Sequence, residues 1–434
     1  MEPSEKIETS GSAKGTTGVG AAGWATLTVC TLLYILNFMD RQVISTVLQP
    51  MKVALGLTDT QAGTLATVFS IGAAVFAWPV GMLIDRWSRT KSIGIMALLW
   101  SIATFFTGLG RNFIGILIPR SLVGIGESGY SPGATALITA RFPAKMRSRV
   151  QSVYVLGMPI GMILGTALGG YLSAKFGWQT PFYYFAIPGV ILGIIAFFLK
   201  DYKTVQTADK ASRRNFWQTT GHLFKIPTLV WLYLGVGFLN TLSFAFMSWM
   251  PAFMMRSMNI GEDKAGLLMA LIAVAAFVGS LVGGWIADMW YRKNARSRLH
   301  MGWLASLLCM ITFVPGVLLM GAGQMVASLV ILFIFGMGIV MLYPAIQVAT
   351  QEVVHPSMKG ISFGMYAVFV FIFSAPGPLV VGAISDALGG GVAGLQTALL
   401  VPSALLLLSI LFFWLGSRSY MADADKVKNV QVEF

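Results

Sequence analysis

Gly81-Met82-Leu83-Ile84-Asp85-Arg86-Trp87-Ser88-Arg89 closes one long apolar run, and Gly284-Trp285-Ile286-Ala287-Asp288-Met289-Trp290-Tyr291-Arg292-Lys293 closes another, 203 residues later. Both read Gly-x-x-x-Asp-x-x-x-Arg. A glycine inside a helix end lets a neighbouring helix approach closely in lipid. The acid and the base stand where a helix leaves the bilayer, able to pair with each other or with a neighbouring helix end. Two copies at equivalent places point to a chain built from two like bundles.

Composition agrees. Hydrophobic residues make up 56% of the 434 residues and charged residues 11%, with a mean hydropathy of +0.75, so the chain reads as an all-α membrane protein. Cys30 and Cys309 fall in apolar runs without CxxC spacing, and His222, His300 and His355 are scattered, so no disulfide framework, metal site or other cofactor is expected. The first twenty-odd residues are rich in Gly, Ser, Thr and charge and carry no signal-peptide pattern.

Apolar segments long enough to span a bilayer lie near 24–48, 60–84, 92–110, 114–140, 150–172 and 181–199. A second set lies near 227–250, 264–287, 300–320, 325–350, 361–384 and 394–416. This predicts a tail over 1–22, a six-helix bundle over 23–199, a basic linker over 200–226, a second bundle over 227–416 and a tail over 417–434. The halves echo each other further. Gly170-x-x-Ser173 with Phe176-Gly177 matches Gly382-x-x-Ser385 with Leu388-Gly389, and Tyr130-Ser131-Pro132 is loosely matched by Tyr343-Pro344.

The formal net charge of +13 carries topology information. With twelve spans both termini share a side, and that side holds 23 of the 30 Lys and Arg residues. The other side holds Lys52, Arg111, Lys175, Arg256 and Lys264. The positive-inside rule makes the rich side cytoplasmic. The expectation is a multi-pass plasma-membrane (bacterial inner-membrane) protein, surrounded by lipid and monomeric, without a nucleic-acid role.

Four charges sit inside spans, all in the first half. On the first span the order is Tyr34, Asn37, Asp40, Arg41, with Asn37 and Arg41 one turn apart. On the fourth, Arg120, Gly124 and Glu127 follow i, i+4, i+7 and share a face. A charge in hydrocarbon is costly and persists only toward the protein interior or water. One reading is a structural lock between the two helices. Against it, Asp40 and Arg41 are chain neighbours about 100° apart and cannot both enter one tight pair. Two acids near two bases form a set whose protonation responds to water access. Arginine keeps its proton, so Arg41 and Arg120 suit an anionic substrate group.

These segments carry a family resemblance. The loop motifs resemble those after the second and eighth helices of the major facilitator superfamily. Asn37-Phe38-Met39-Asp40-Arg41 resembles the helix-one motif of anion–cation symporters and spinster-type transporters. Arg120-Ser121-Leu122-Val123-Gly124-Ile125-Gly126-Glu127-Ser128-Gly129-Tyr130-Ser131, followed by Arg147-Ser148-Arg149, resembles the spinster helix four. The resemblance implies twelve helices in two pseudo-symmetric bundles and export of lysolipid or sphingolipid-type molecules coupled to protons. It gives Asp40 and Glu127 the proton and Arg41 and Arg120 the head group. Ser88 and Thr90 replace the glycine and base of the first loop motif, and Gly157-Met158-Pro159-Ile160-Gly161 matches the antiporter Gly-Pro motif only in part, which leaves the direction of coupling open.

In the second half Asn240 and Ser243, then Tyr343 and Gln347, are the candidate cavity residues, with Phe244, Phe246, Phe369, Phe371 and Phe373 alongside. A charged half facing an aromatic half suits an amphipathic anion, with a sugar acid as the alternative. Gly81, Asp85, Arg86 and Arg89, echoed by Gly284, Asp288 and Arg292, are the expected cytoplasmic gate. Glycines from Gly157 to Gly170 and the Ala375-Pro376-Gly377-Pro378 break are expected to assist sliding and bending. A membrane receptor is disfavoured because the chain has no soluble sensory domain. An enzyme is disfavoured because no nucleophile–base pair, P-loop or metal-spaced cluster occurs.

Overall fold

A computed structural model describes residues 20–199, 216–294, 296–355 and 358–428. The first half holds α1 (Ala21–Leu55), α2 (Asp59–Arg86), α3 (Arg89–Leu109), α4 (Phe113–Glu127), α5 (Tyr130–Arg141), α6 (Ala144–Val155), α7 (Gly157–Phe176) and α8 (Thr180–Phe198). After the short α9 (Phe216–Leu223), the second half holds α10 (Pro227–Met258), α11 (Glu262–Tyr291), α12 (Ser297–Gly321), α13 (Met325–Met341) and α14 (Tyr343–Glu352). It ends with α15 (Lys359–Ser374), α16 (Pro376–Ala387), α17 (Val392–Leu400) and α18 (Leu405–Lys428). Among the described residues there is no strand.

Among the described residues eleven helical stretches are long and apolar enough to cross a membrane. The twelfth span is α4 with α5, split at Ser128-Gly129 into pieces of 15 and 12 residues, each too short alone. The breaks obey the internal repeat. The fourth span breaks just before Tyr130 and the tenth just before Tyr343; the fifth breaks at Leu156 and the eleventh at Ala375. At the last of these, prolines remove backbone donors, and neighbouring side chains serve the carbonyls. Thr241 donates to Phe373 O at 2.8 Å, Thr67 to Ala375 O at 2.6 Å, and the Trp249 indole to Pro378 O at 2.8 Å.

The glycines of α7 are packing residues. A Cβ on Gly161 would lie 2.4 Å from Ile35 O, and one on Gly165 2.8 Å from the Met39 Cα. These small residues bring α7 onto α1 backbone to backbone, fixing the rotation of α1 and the direction in which Asn37, Asp40 and Arg41 point.

Two expectations change. The tail predicted from 417 is instead the continuation of α18 to Lys428, with Tyr420 and Asp423 buried. Asp423 accepts from the Thr228 amide at 3.2 Å and its hydroxyl at 2.8 Å, so it caps the start of α10 and holds the last helix against the seventh span. In the second loop motif, close approach falls to Gly279 and Gly283, whose Cβ atoms would meet Met337 O at 2.3 Å and Met341 O at 2.0 Å, while Gly284 has only ordinary contact with Pro344.

The halves meet closely at the end away from the chain termini. A Cβ on Gly63 would lie 2.3 Å from Pro378 O, one on Gly382 2.2 Å from Asp59 O, and one on Gly170 2.4 Å from Glu262 O. Among the described residues the named hydrogen bonds between halves include several on this side too.

Candidate functional site

The first-half charges converge. Arg41 donates through Nε to Glu127 Oε2 at 2.7 Å; the Glu127 side chain is fully buried and that of Arg41 keeps 23% of its surface. Asp40, Asn37 and Arg120 are buried. Thr104 on α3 donates to Asp40 Oδ2 at 3.3 Å, and Arg120 reaches the Asp40 main-chain oxygen, not its carboxylate, at 3.5 Å. Asp40 Oδ1 and Arg120 Nε have no hydrogen-bond partner. Phe69 on α2 lies beside both cations: the Arg41 guanidinium stands 5.3 Å and that of Arg120 5.5 Å from its ring centre. Phe38 flanks Arg41 at 4.8 Å. A ring face offers each cation favourable electrostatics in a dry setting.

The two arginines are therefore unequal. Arg120 is enclosed. Arg41 uses one nitrogen on Glu127 and has no further hydrogen bond among the described residues, so its two terminal nitrogens stay available in the fork geometry that suits a carboxylate or phosphate. Tyr34, two turns along α1, stacks on Tyr154 with ring centres 4.4 Å apart and meets Phe38 edge-on at 5.1 Å. Tyr130 donates to Cys30 O at 2.6 Å and closes this aromatic floor.

In the second half Tyr343 donates to Asn240 Oδ1 at 2.9 Å, and the Asn240 amide donates to Val236 O at 2.9 Å. Ser243 is turned onto its own helix, donating to Leu239 O at 2.9 Å, and Gln347 is exposed. Phe244 packs against the first-half cluster that contains Phe69 and Tyr130. Of the gate residues, the side chains at 81–86 lie outside the described residues, as do 200–215 of the linker; Arg89 opens α3, and Asp288 and Arg292 are exposed.

Sequence reasoning missed a second charge cluster at the closed end. Asp59 is fully buried and accepts from Arg256 at 2.9 and 2.6 Å, from Ser385 at 2.6 Å, and from Lys52. Asp386 answers from the other half, accepting from the Asp59 amide at 2.9 Å and the Thr60 amide at 2.7 Å. Each half thus caps or clamps a helix end of the other. The signal was faint: Lys52 and Arg256 are two of the few cations on the poorly charged side, each at a helix end. Phe69 and Thr104 carry no sequence signal at all.

The fold and this charged centre between two repeats define a membrane transporter, and the comparisons agree. The Major Facilitator Superfamily sequence profile matches residues 30–378, and the chain belongs to that family. It is 27% identical over 410 residues to an MFS-type efflux pump of Mycolicibacterium smegmatis, covering 92% of this chain and 94% of that one. The hexuronate transporter of Bacillus subtilis is 26% identical over 270 residues, 60% of this chain and 64% of its own length. Protein spinster of Drosophila melanogaster is 34% identical over 187 residues, 42% of this chain and 29% of its own. Among solved structures, a bacterial homologue of spinster, inward-facing and unoccupied, superposes with a TM-score of 0.84 at 22% identity, over 94% of this chain and 99% of that one.

Proposed function

We propose that the protein is a proton-coupled secondary transporter of an amphipathic anion, of the lysolipid or sphingolipid kind, working by alternating access. One observation carries this: Arg41 is half-committed, bonded through Nε to a buried carboxylate while its terminal nitrogens are left for a ligand. Arg41 is the anion anchor, with Asn37 and Tyr34 beside it. Arg120 is a positioning residue that holds the Asp40 backbone. An anion that takes Arg41 leaves Glu127 buried with the cation it is bonded to shared, and a proton on Glu127 or Asp40 restores the balance. Proton and anion then favour the same state.

The amphipathic part rests on the opposing lining. Phe244 of the second half packs against the first-half cluster, Phe369 stacks on Phe373, and the same half carries one polar pair, Asn240 and Tyr343. The local likeness to spinster and the efflux relative support this reading. A small organic anion such as a sugar acid is the second reading, supported by the hexuronate relative and by the same Asn240–Tyr343 pair. Orientation follows from the cation bias: both termini and the linker lie in the cytoplasm of a bacterial inner membrane, and a cysteine at Ser212 would be labelled only from that side.

The test uses the full chain in proteoliposomes and double spin labels across the two ends. Asp40→Asn and Glu127→Gln mimic the protonated forms and should abolish the pH dependence of the distance distributions. Arg41→Ala should abolish binding of lysophosphatidate. Acid variants as pH-responsive as the parent would defeat the coupling role, and saturable transport of hexuronate without lysolipid binding would favour the second reading.

A further inference from the structure

A groove on the lipid-facing side of the first half lies apart from the central site. It runs between α3 and α4 and encloses about 520 Å³. Leu99, Ile102, Phe106 and Leu109 line it from α3 at i, i+3, i+7 and i+10, and Ile118 and Leu122 line it from α4; all six are exposed. Ten residues of helix rise about 15 Å, half of a hydrocarbon core about 30 Å thick. The groove therefore spans one leaflet.

Its outer end is polar. Arg111 and Asn112, in the turn between α3 and α4, line that end together with Gly115. Asn112 Oδ1 accepts from the Gly115 amide at 2.8 Å. Pro119 lies inside α4 and has no N–H to give the Gly115 carbonyl, which loses its i+4 donor. A cation and a backbone acceptor short of its usual donor thus sit at head-group depth, above an apolar channel one leaflet long. Arg111 is also one of only five cations on this side of the chain, and no acid in the turn offsets it.

We propose that this groove holds one anionic glycerophospholipid of the leaflet at the end opposite the termini. Its phosphate pairs with Arg111, a head-group hydroxyl donates to the Gly115 carbonyl, and one acyl chain lies between α3 and α4. The site is independent of the transport reading, because none of its residues belongs to the Arg41 cluster. Charge complementarity selects the anionic head group, and the length of the apolar run selects a chain-bearing lipid over a free phosphate ester.

The test is native mass spectrometry of the full-length protein released from nanodiscs of mixed phosphatidylglycerol and phosphatidylcholine. The parent should retain one phosphatidylglycerol in preference to phosphatidylcholine. Arg111→Gln should lose that retention about tenfold, as expected for one charge-assisted hydrogen bond, while Arg111→Lys keeps most of it. Ile118→Trp fills the channel and should lose both lipids. Lys175→Gln is the control, since Lys175 stands at the same end beside Tyr171, outside the groove. Glycerol phosphate, which lacks a chain, should not compete. Equal loss in Lys175→Gln and Arg111→Gln would mean belt adsorption and overturn the site, as would full retention in Arg111→Gln. Melting temperatures recorded beside the spectra separate lipid loss from unfolding.

Discussion

Arg41 is bound to Glu127 through Nε alone, at 2.7 Å, and the pair joins the first span to the fourth across 86 residues of chain. The bond constrains Arg41 without using it up. That distinguishes an anchor from a lock, and the two make different demands on a mutant.

Arg41→Ala leaves the fully buried Glu127 carboxylate without its partner and should cost about 3–5 kcal/mol of stability. Adding Glu127→Gln removes the stranded charge and should recover most of it. Thermal unfolding and lysophosphatidate affinity, measured on the single and double variants, check this. The double variant should fold and fail to bind the anion. If binding returns along with stability, Arg41 is only a strut.

At the closed end, Asp59→Asn should weaken the bond to Arg256 and release one half from the other. The pair is buried on the Asp59 side, and Arg256 keeps only 9% of its side-chain surface, so the loss should be about 3–5 kcal/mol of closed-state stability. Spin-label distances across that end should lengthen. An unchanged distribution would show that the glycine seams, Gly63 on Pro378 and Gly382 on Asp59, hold the end shut without charge.

Gly161→Val tests the backbone seam between α7 and α1. A side chain there must displace Ile35 O from 2.4 Å, and over-packing of this kind should cost about 1–3 kcal/mol. Because the same seam aims Asp40 and Arg41, anion affinity should fall along with the melting temperature. Gly364→Ala, inside α15 where a Cβ meets nothing within 4 Å, is the control and should leave anion affinity unchanged without lowering the melting temperature.

Two tyrosines of the second half give opposite expectations. Tyr343→Phe strands Asn240 Oδ1 and should cost about 1–3 kcal/mol, whereas Tyr366 carries a buried hydroxyl with no partner, so Tyr366→Phe should be neutral or stabilising. Melting curves of the two variants decide it. A substantial loss in Tyr366→Phe would mean that its hydroxyl serves a ligand or a bound water in the cleft.

The amino-acid sequence by itself determined the all-helical class, the positions of the spans and the twofold repeat, because each rests on local quantities. Hydropathy over about twenty residues fixes a span wherever the bilayer is the solvent, and the paired motifs fix the repeat. It also singled out Asp40, Arg41, Arg120 and Glu127, since charge in an apolar run is conspicuous without any fold. What it could not rank was the two arginines. Only packing decided that Arg120 is buried against the Asp40 main chain while Arg41 stays partly exposed, with a single hydrogen bond among the described residues, because that depends on how α1 and α4 are rotated against their neighbours. The same holds for the Asp59–Arg256 clamp, whose partners lie 197 residues apart, and for the last helix, whose polar residues past 416 read as a tail until Asp423 was seen to cap the seventh span. Hydropathy and charge are written along the chain, but which side chain meets which across two bundles is set by helix rotation, and that is fixed by contacts such as those of Gly161 and Gly165 on α1.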